Sequence, residues 1–451
     1  MSFAGAIDAL AGLLWGPQTV LMLLGIGVYL TVRLRFVQMR ELPFACRILL
    51  GNKQLGESDG ERKGDVSPIG ALSVSLATVI GNGNIAGVCT AIELGGPGAI
   101  FWMWVSALFG MATKMVEAIL GQRFKVVAAD GTIAGGPMYY ISRGLGLGWL
   151  GGLFAFFMGC KALFSTSIVQ ANSIAVALRS QLDIPAWVIG LMLAVCTWLV
   201  IIGGLQSIAR VAQVLAPLMV VVYFVGAAVT LAIFVDQIPE AFRLIVVGAF
   251  QPQAIGGGVA GATFATAMRY GLARGAYSNE AGTGTAGVFH APAKTSEPVR
   301  QGLLASLDVF LDTFVVCSLT ALVVLVTGAW DEGVSSTAMA AHAFSEAIPL
   351  FGGWIVALSS LLFGFSSLVG TPYYGETALG YLFGVQIKLP FRWIYCGMVL
   401  IGALLTVRIA WSLGDILNGL MTITNLIGVI GLSGLAIKLV RDYSKRISLD
   451  S

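Results

Sequence analysis

Charged side chains are scarce in this chain. Only 11% of the 451 residues are Asp, Glu, Lys or Arg, whereas 57% are hydrophobic, and the mean hydropathy is +0.87. A soluble protein of this length cannot bury so much apolar surface, so the composition predicts a protein that lies in the lipid bilayer. The net charge of +3 is too small to indicate nucleic-acid binding.

Residues suited to catalysis and metal ligation are also few. The two histidines, His290 in a predicted cytoplasmic loop and His342 in an outer segment, lie near no nucleophile or second ligand. The six cysteines include no CxxC pair, and no GxxxxGK[ST] motif is present for the phosphates of ATP. We therefore expect neither an enzyme nor a pump driven directly by ATP, and we expect no cofactor.

Apolar runs of about 20 residues, the length that a helix needs to cross the hydrocarbon layer, recur along the whole chain. With Gly, Pro and charges as boundaries, hydropathy predicts spans near 15–34, 68–91, 97–120, 149–178, 185–203, 208–235, 254–273, 301–328, 350–370, 391–409 and 413–438. The expected fold class is an all-α membrane protein with about 11 transmembrane helices, forming one integral domain over residues 1–451.

The basic residues predict how the chain is oriented. If the N-terminus lies outside, 21 of the 26 Lys and Arg residues fall in cytoplasmic loops. Three lie outside (Arg179, Arg243 and Arg408), and two lie within spans (Lys114 and Lys161). The positive-inside rule then predicts a multi-pass protein of the cell (inner) membrane with its N-terminus outside and its C-terminus in the cytoplasm.

Eleven spans divide naturally into one peripheral N-terminal helix (15–34) and two sets of five (68–235 and 254–438), the second inverted relative to the first. Many secondary transporters are built from such inverted repeats, and their sites lie where Gly-interrupted spans occupy matching positions of the two halves. Here the first core span contains Gly81-Asn82-Gly83-Asn84, and the matching span contains glycines 256–258 and 261.

Two explanations fit the glycines of the first core span. The helix unwinds there, so that its freed N–H groups hold a carboxylate and its freed carbonyls face a cation. Alternatively, Gly83 and Gly87 form a GxxxG pair that lets two helices approach. The polar side chains of Asn82 and Asn84 beside these glycines favour unwinding.

Several uncharged polar residues lie inside apolar runs. Gln170 and Asn172 are suited either to contacting a substrate or to hydrogen bonding between helices, and the second use is the commoner one. The hydroxyls of Ser366 and Ser367 are hard oxygen ligands that suit an alkali cation, or they bond back to their own helix.

Charged residues inside spans need a partner or water. Lys161 either lines a cavity or extends toward the inner face, and we favour the second. Lys114 is expected to be neutralised by Glu117, three residues later. Asp308 and Asp312 form either a proton or cation relay or, as we favour, a solvated helix end.

Five segments carry a resemblance to a known family: GNGNIAGV at 81–88, GGPMYY at 135–140, QANS at 170–173, RGAYSNEAGTG at 274–284 and YYGE at 373–376. Over nearly its whole length the chain resembles the alanine or glycine:cation symporters, sodium-coupled transporters with a leucine-transporter-like fold and one added N-terminal helix. The resemblance implies a secondary symporter that couples inward sodium movement to uptake of a small neutral amino acid by alternating access. The alternative is a proton-coupled permease of the same fold, with Asp308 or Asp312 carrying the proton.

The resemblance also implies roles for particular residues. The substrate carboxylate is expected at the unwound turn, and the side-chain end of the substrate at the broken seventh span: Gly81, Asn82, Gly83, Asn84 and Gln170 for the former, Phe264 and Met268 for the latter. Sodium is expected at three backbone carbonyls and two hydroxyls: Ala77, Ile80, Phe363, Ser366 and Ser367. The segment 274–282 is expected to structure an inner gate.

Two expected substrate positions depart from the family pattern. The family usually has Thr where this chain has Asn82, and Trp where it has Thr371. Since Thr is much smaller than Trp, the resemblance implies a pocket, lined also by Ser367, that accepts amino acids larger than alanine.

Overall fold

The computed structural model describes residues 3–49, 64–250, 264–334, 336–405 and 407–450. Helices make up most of it. Their bounds are α1 Phe3–Leu14, α2 Pro17–Arg33, α3 Val37–Arg40, α4 Leu42–Leu49, α5 Pro68–Val79, α6 Ala86–Gly95, α7 Ala99–Arg123, α8 Pro137–Gly144, α9 Gly148–Lys161, α10 Ser167–Arg179, α11 Ala186–Ile201, α12 Gly204–Ile233, α13 Ile238–Gly248, α14 Phe264–Asn279, α15 Thr285–His290, α16 Pro298–Val309, α17 Ser318–Val326, α18 Ser336–Ala347, α19 Gly352–Phe383, α20 Lys388–Leu404 and α21 Val407–Asp450.

Shorter elements join or interrupt these helices. Four 3₁₀ turns occupy Asn82–Asn84, Val235–Gln237, Ala329–Asp331 and Val385–Ile387. Wide π-helical turns occupy Ala162–Thr166, between α9 and α10, and Phe310–Cys317, between α16 and α17. Two short strands, β1 (Val126–Val127) and β2 (Ile133–Ala134), pair antiparallel.

The predicted spans can be compared with the helices. Eight apolar segments in the described part of the chain are long enough to cross a membrane, and the bent pair α5 and Asn82–Gly95 makes a ninth. The two remaining predicted spans match α11, an apolar helix of 16 residues, and α14, which is preceded by residues outside the described ranges. The all-α membrane class predicted from hydropathy is confirmed.

The first core span is broken where its glycines predicted unwinding. The Ser67 hydroxyl accepts a hydrogen bond from the Gly70 N–H (3.0 Å), and Pro68 takes the first helical position, so α5 has a well-capped start. After Val79 the helix gives way to the 3₁₀ turn Asn82–Asn84, and the chain bends by 53° into α6. The matching glycines 256–258 and 261 lie outside the described residues.

Helix packing places this break in the interior. α19 packs against α5, α9, α10 and α12, whereas α7 packs against α14, α15 and α16. The outer side of α12 is apolar and exposed at Val214, Leu218, Val221 and Val225, which is the surface expected to face lipid. Polar side chains of α10, α14 and α19 therefore meet the bent span away from lipid.

The segment around His290 is buried and helical, so the expected loop is wrong, whereas its cytoplasmic side stays a prediction. His290 is the last residue of α15, which packs on α7. The His290 Nδ1 lies 2.6 Å from the Gln301 Nε2. The Gln122 amide donates to the carbonyls of His290 (2.5 Å) and Ala291 (3.2 Å). These donors satisfy backbone groups of the turn, which is why the segment can be buried.

The contact between α7 and α15 generates a stability prediction. A Cβ atom at Gly121 would lie 2.2 Å from the carbonyl oxygen of Gly287, a backbone atom that cannot move aside alone. We expect Gly121→Ala to lower stability by about 1–3 kcal/mol. Gly434→Ala is the control, because no atom lies within 4 Å of its Cβ position. Thermal unfolding in detergent checks this, and equal midpoints for the two variants would contradict it.

Candidate functional site

Buried polar side chains complete the hydrogen bonds of the broken turn. The Gly81 N–H donates to the Asn84 Oδ1 (2.9 Å), and the Asn82 N–H donates to the Gln170 Oε1 (3.1 Å). The Asn82 side-chain amide reaches the same Gln170 oxygen at 3.1 Å. Gln170 thus contacts the turn from α10, and both N–H groups that the break frees have an oxygen partner.

A second set of contacts fixes the Asn82 side chain. The Ser360 hydroxyl donates to the Asn82 Oδ1 (2.7 Å), and the Asn82 Nδ2 lies 3.3 Å from the Ser360 carbonyl. Nothing in the sequence singled out Ser360, because a serine in an apolar run has no distinctive pattern. Ser360 was therefore missed as a partner of the turn.

The glycines of the turn differ in how closely they are approached. A Cβ atom at Gly81 would lie 2.4 Å from the Ser367 Oγ and 2.9 Å from the Gln170 Nε2. At Gly87 a Cβ atom would meet nothing within 4 Å, so close helix packing through Gly83 and Gly87 does not explain these glycines. At Gly81, instead, side chains of α10 and α19 lie close to the backbone at the end of α5.

Oxygen atoms gather between the end of α5 and the middle of α19. The Ser366 hydroxyl lies 2.8 Å from the Phe363 carbonyl and 3.4 Å from the Ile80 carbonyl. The Ser367 hydroxyl donates to the Thr78 carbonyl at 2.9 Å. Because the last four carbonyls of a helix have no partner within it, the end of α5 offers oxygens to a ligand.

These oxygens include most of the predicted sodium ligands. Ile80, Phe363 and Ser366 are joined by the distances above, Ser367 is one residue further, and Ala77 belongs to the last turn of α5. Such carbonyl and hydroxyl oxygens are suitable ligands for an alkali cation.

On the opposite side of the turn lies Asp312, at the π-helical turn after α16. The Asn84 Nδ2 donates to its Oδ1 (2.6 Å), and the hydroxyls of Ser278 and Thr313 donate to its Oδ2 at 3.0 and 2.8 Å. Asp312 is fully buried, so the favoured placement at a solvated helix end is wrong. Among the described residues no basic side chain lies within 4.0 Å of it.

Asp308 and Lys114 form a buried ion pair. The Lys114 Nζ lies 2.8 Å from the Asp308 Oδ2, and the Ser75 hydroxyl donates to the same oxygen at 2.6 Å. Neither side chain is exposed, so Asp308 is not at a solvated helix end either. The expected pair of Lys114 with Glu117 is also replaced, because the Glu117 Oε1 instead accepts from the Asn425 amide at 2.7 Å.

Lys161 also has a buried partner. Its Nζ lies 2.6 Å from the Glu280 Oε1, and the side chains are 2% and 8% exposed. The favoured extension of Lys161 to the inner face is therefore wrong. Glu280, in the segment 274–282, has a left-handed backbone (φ 55°), which turns the chain sharply after α14.

The remaining predicted residues take no part in the hydrogen bonds described above. Gly83 packs against Tyr277, whose ring lies 3.5 Å from the position of an added Cβ. Phe264 is 39% exposed and packs its ring 5.5 Å from Trp102, and Met268 is half-buried one turn later. Thr371 is buried one turn beyond Ser367 in α19. Their roles stay predictions.

Two ion pairs lie beside a small cavity lined by the β1–β2 turn, α19 and α20. The Lys388 Nζ lies 2.6 Å from Asp130, and Arg392 forms two bonds to Glu376 (2.7 and 3.0 Å) around a cavity of about 140 Å³. Partial burial opposes ionisation of Asp130, but the bonds from Lys388 and Thr132 lower its pKa to about 2. Asp130 therefore stays charged at physiological pH.

With this geometry established, the chain was compared with known proteins. A family model described as the sodium:alanine symporter family matches residues 1–450. The chain belongs to this family. It is therefore a sodium-coupled amino acid symporter and a multi-pass membrane protein, not an enzyme, and sodium is its co-transported ion.

Relatives match the symporter over nearly its full length. The sodium/alanine symporter AgcS of Methanococcus maripaludis is 39% identical over 453 residues, which cover 99% of this chain and 98% of the relative. The probable sodium/glutamine symporter GlnT of Bacillus subtilis is 36% identical and covers 96% and 89% of the two chains.

Solved structures confirm the fold of the symporter. A manganese transporter of Eremococcus coleocola superposes with a TM-score of 0.51 at 14% identity, covering 85% of this chain and 83% of the transporter. At that identity the likeness concerns the fold alone, which is the leucine-transporter-like arrangement expected from the resemblance.

The buried pair of Lys161 and Glu280 generates a prediction for the symporter. Lys161→Met would leave the Glu280 carboxylate buried without its cation, and we expect it to lower stability by about 3–5 kcal/mol. The double variant Lys161→Met/Glu280→Gln should recover most of that loss, because no unpaired charge remains. A thermal-unfolding cycle measures both values.

A matched control removes an exposed pair. Arg243 and Glu240 lie 2.5 Å apart on the surface, with side chains about half exposed. Arg243→Met should leave the unfolding midpoint nearly unchanged. If Lys161→Met lowers the unfolding midpoint no more than Arg243→Met does, the prediction is contradicted, and the buried Glu280 carboxylate has another source of stabilisation.

Proposed function

We propose that the symporter couples inward sodium movement to the uptake of a small neutral amino acid by alternating access. The observation that carries this proposal is the broken span at 81–84. Its freed N–H groups and freed carbonyls point to two neighbouring polar clusters, around Gln170 and around Ser366 and Ser367. One cluster suits a carboxylate, and the other suits a cation.

The carboxylate end of the substrate is proposed to bind at the N–H groups of Gly81 and Asn82. In the structure these N–H groups donate to the side-chain oxygens of Asn84 and Gln170, which occupy the place of an anionic acceptor. A carboxylate that replaced the Gln170 oxygen would accept charge-assisted hydrogen bonds from the same groups. Gln170 could then rotate its amide to donate to the ligand.

Sodium is proposed to bind the carbonyls of Ala77, Ile80 and Phe363 and the hydroxyls of Ser366 and Ser367. The Ser366 and Ser367 hydroxyls now bond to backbone carbonyls of the same cluster, so a cation would exchange hydrogen bonds for direct ligation. Since both ligands share the broken turn, each would stabilise the backbone conformation that the other needs, and this would link their affinities.

The cargo is proposed to include side chains larger than alanine. Relatives of similar identity are named for alanine and for glutamine, so membership of the family does not fix cargo size. In this chain Asn82, rather than the usual Thr, is bonded to Ser360 at the turn, and Thr371 takes the place of a Trp. Both replacements alter the expected pocket.

The paired charges at one end are proposed to form the inner gate, with the N-terminus outside and the C-terminus in the cytoplasm of the cell (inner) membrane. The pairs Lys388–Asp130 and Arg392–Glu376 join the β1–β2 turn, α19 and α20 at that end. Opening toward the cytoplasm would separate them. Lys388 and Arg392 lie in the first turns of α20, next to the connection from α19 that the positive-inside rule predicts to be cytoplasmic.

A proton-coupled permease is the second candidate, and Asp312 is the observation that favours it. This carboxylate is buried and, among the described residues, accepts hydrogen bonds from uncharged donors alone, whereas Asp308 is neutralised by Lys114. Uptake into proteoliposomes separates the two functions. Transport that persists when choline replaces sodium, and that is driven by a pH gradient and abolished in Asp312→Asn, would establish proton coupling and overturn the sodium proposal.

The sodium site generates a prediction for Ser367→Ala. The variant loses one oxygen ligand without changing the backbone, so we expect the sodium affinity to fall about tenfold or more. Ser359→Ala is the control, since that buried hydroxyl on the same helix bonds to no described residue. Sodium titration of labelled alanine uptake gives both affinities, and an unchanged Ser367→Ala curve would remove this residue from the site.

The carboxylate site generates a prediction for Gln170→Ala. Loss of a hydrogen bond to a charged ligand corresponds to about 1.5–3 kcal/mol, or roughly tenfold to a hundredfold in amino acid affinity. Asn172→Ala is the comparison, because the Asn172 amide instead donates to the Gly402 carbonyl (3.2 Å) and ties α10 to α20. That variant should lower the unfolding temperature and leave affinity nearly unchanged. The reverse pattern would make Gln170 a structural residue.

A further inference from the structure

A large cavity lies beside the end of α2 and the C-terminal part of α21. It has a volume of about 470 Å³ and is bounded by the end of α2, the turn before α3, and the last turns of α21. Five cations line it, namely Arg33, Arg35, Arg40, Arg441 and Lys445. No carboxylate is among the described residues that line it, although the Arg40 Nη2 lies 3.9 Å from the Glu41 carboxylate beside it. Such a concentration of positive charge in one cavity attracts anions.

The floor of this basic cavity is apolar. Leu34, Val37, Ile437 and Val440 line it and are each 3–5% exposed. Beside it, Val32 is 58% exposed and Phe36 is 47% exposed. These two side chains extend the exposed apolar surface of α2 as far as the arginines. The positively charged cavity is therefore next to a surface that is suited to lipid.

The turn that carries Arg35 is held in an unfavourable conformation. Arg35 and Phe36 have φ values of 55° and 58°, a left-handed backbone that non-glycine residues seldom adopt. The Phe36 N–H donates to the Thr31 carbonyl (2.9 Å), and the buried Gln38 amide donates to the Thr31 hydroxyl (3.0 Å). The turn is therefore fixed in place with its arginine at the cavity, and fixed strain of this kind marks functional sites.

We propose that this cavity binds the phosphate headgroup of an anionic membrane lipid, with phosphatidylglycerol or cardiolipin as the fitting class. Guanidinium groups form paired hydrogen bonds to phosphate oxygens, and basic pockets between helix ends are suited to anionic headgroups. The acyl chains would lie along Val32 and Phe36. Free phosphate shares the headgroup chemistry but makes no use of this apolar surface, so the geometry favours a lipid.

The site joins the first span to the last helix. Arg33 is the last residue of α2 and Arg35 follows two residues later, whereas Arg441 and Lys445 belong to α21. A phosphate held between these two groups would replace their mutual repulsion by a shared attraction. The bound lipid is therefore expected to stabilise the contact between α2 and α21.

The test uses the full-length symporter, purified and stripped of lipid. Native mass spectrometry measures lipid adducts, and thermal unfolding measures stabilisation, with phosphatidylglycerol, phosphatidylcholine and inorganic phosphate as separate additions. The variants are Arg35→Gln and Arg441→Gln, each removing one cavity charge. The control is Arg210→Gln, an exposed arginine on α12 whose only hydrogen bond among the described residues is to the Gln206 carbonyl of its own helix. Sodium-dependent alanine uptake verifies that each variant is folded.

The expected result is a stabilising phosphatidylglycerol adduct on the parent and on Arg210→Gln, with affinity about tenfold lower in Arg35→Gln and in Arg441→Gln. Phosphatidylcholine and millimolar inorganic phosphate should have little effect. Equal lipid binding by all four proteins would overturn the proposal, and so would an equal loss in Arg210→Gln. Stabilisation by inorganic phosphate as strong as by the lipid would identify a free-anion site instead. If a variant fails to fold, the comparison of the three additions on the parent protein still tests the preference for an anionic lipid.

Discussion

A helix can be interrupted inside a membrane only where its freed backbone groups find partners within the protein, because the hydrocarbon offers none. The break between α5 and α6 satisfies this requirement with side chains from three other helices. On one side of the break, Gln170 on α10 accepts a hydrogen bond from the Asn82 N–H, and Ser367 on α19 donates to the Thr78 carbonyl. On the other side, Thr320 on α17 donates to the Asn84 carbonyl at 2.7 Å. The surrounding helices are thus arranged around one bend.

This arrangement places the bend between two sets of partners. Asn82 is bonded to α10 and α19, whereas Asn84 is bonded to the π-helical turn after α16. The turn is therefore hydrogen-bonded to helices on both sides of it. Under the proposed function, a ligand bound at its N–H groups would act on both sets of helices, which is the coupling that symport requires.

Buried charged side chains near the bend are stabilised either by an opposite charge or by hydrogen bonds from uncharged groups. Lys114 with Asp308, and Lys161 with Glu280, are pairs whose charges cancel locally. Asp312 instead receives hydrogen bonds from uncharged groups. Paired charges of this kind fix how α7, α9, α14 and α16 meet, since separating either pair would leave a charge in a medium of low polarity. The Asp312 carboxylate is the one of these acids that a mobile cation or proton could still neutralise.

The sequence by itself determined the membrane class, the places of the spans and the break at Gly81-Asn82-Gly83-Asn84. Hydropathy over about 20 residues and glycine within an apolar run are local properties, and the bilayer turns them directly into structure. The resemblance to a symporter family added the family, its sodium coupling and its fold, which the comparisons confirmed.

Only the tertiary structure decided which polar groups meet. Lys161 was expected to extend to the inner face, and Lys114 to pair with Glu117, because sequence spacing reveals neighbours on one helix alone. Their partners, Glu280 and Asp308, lie 119 and 194 positions away in the chain. A long-range partner becomes visible only when helices pack, because packing brings residues that are distant in the chain within contact distance, and a buried charge is stable only beside such a partner. For the same reason Asp312 was misplaced at a solvated end, and Ser360 gave no signal at all.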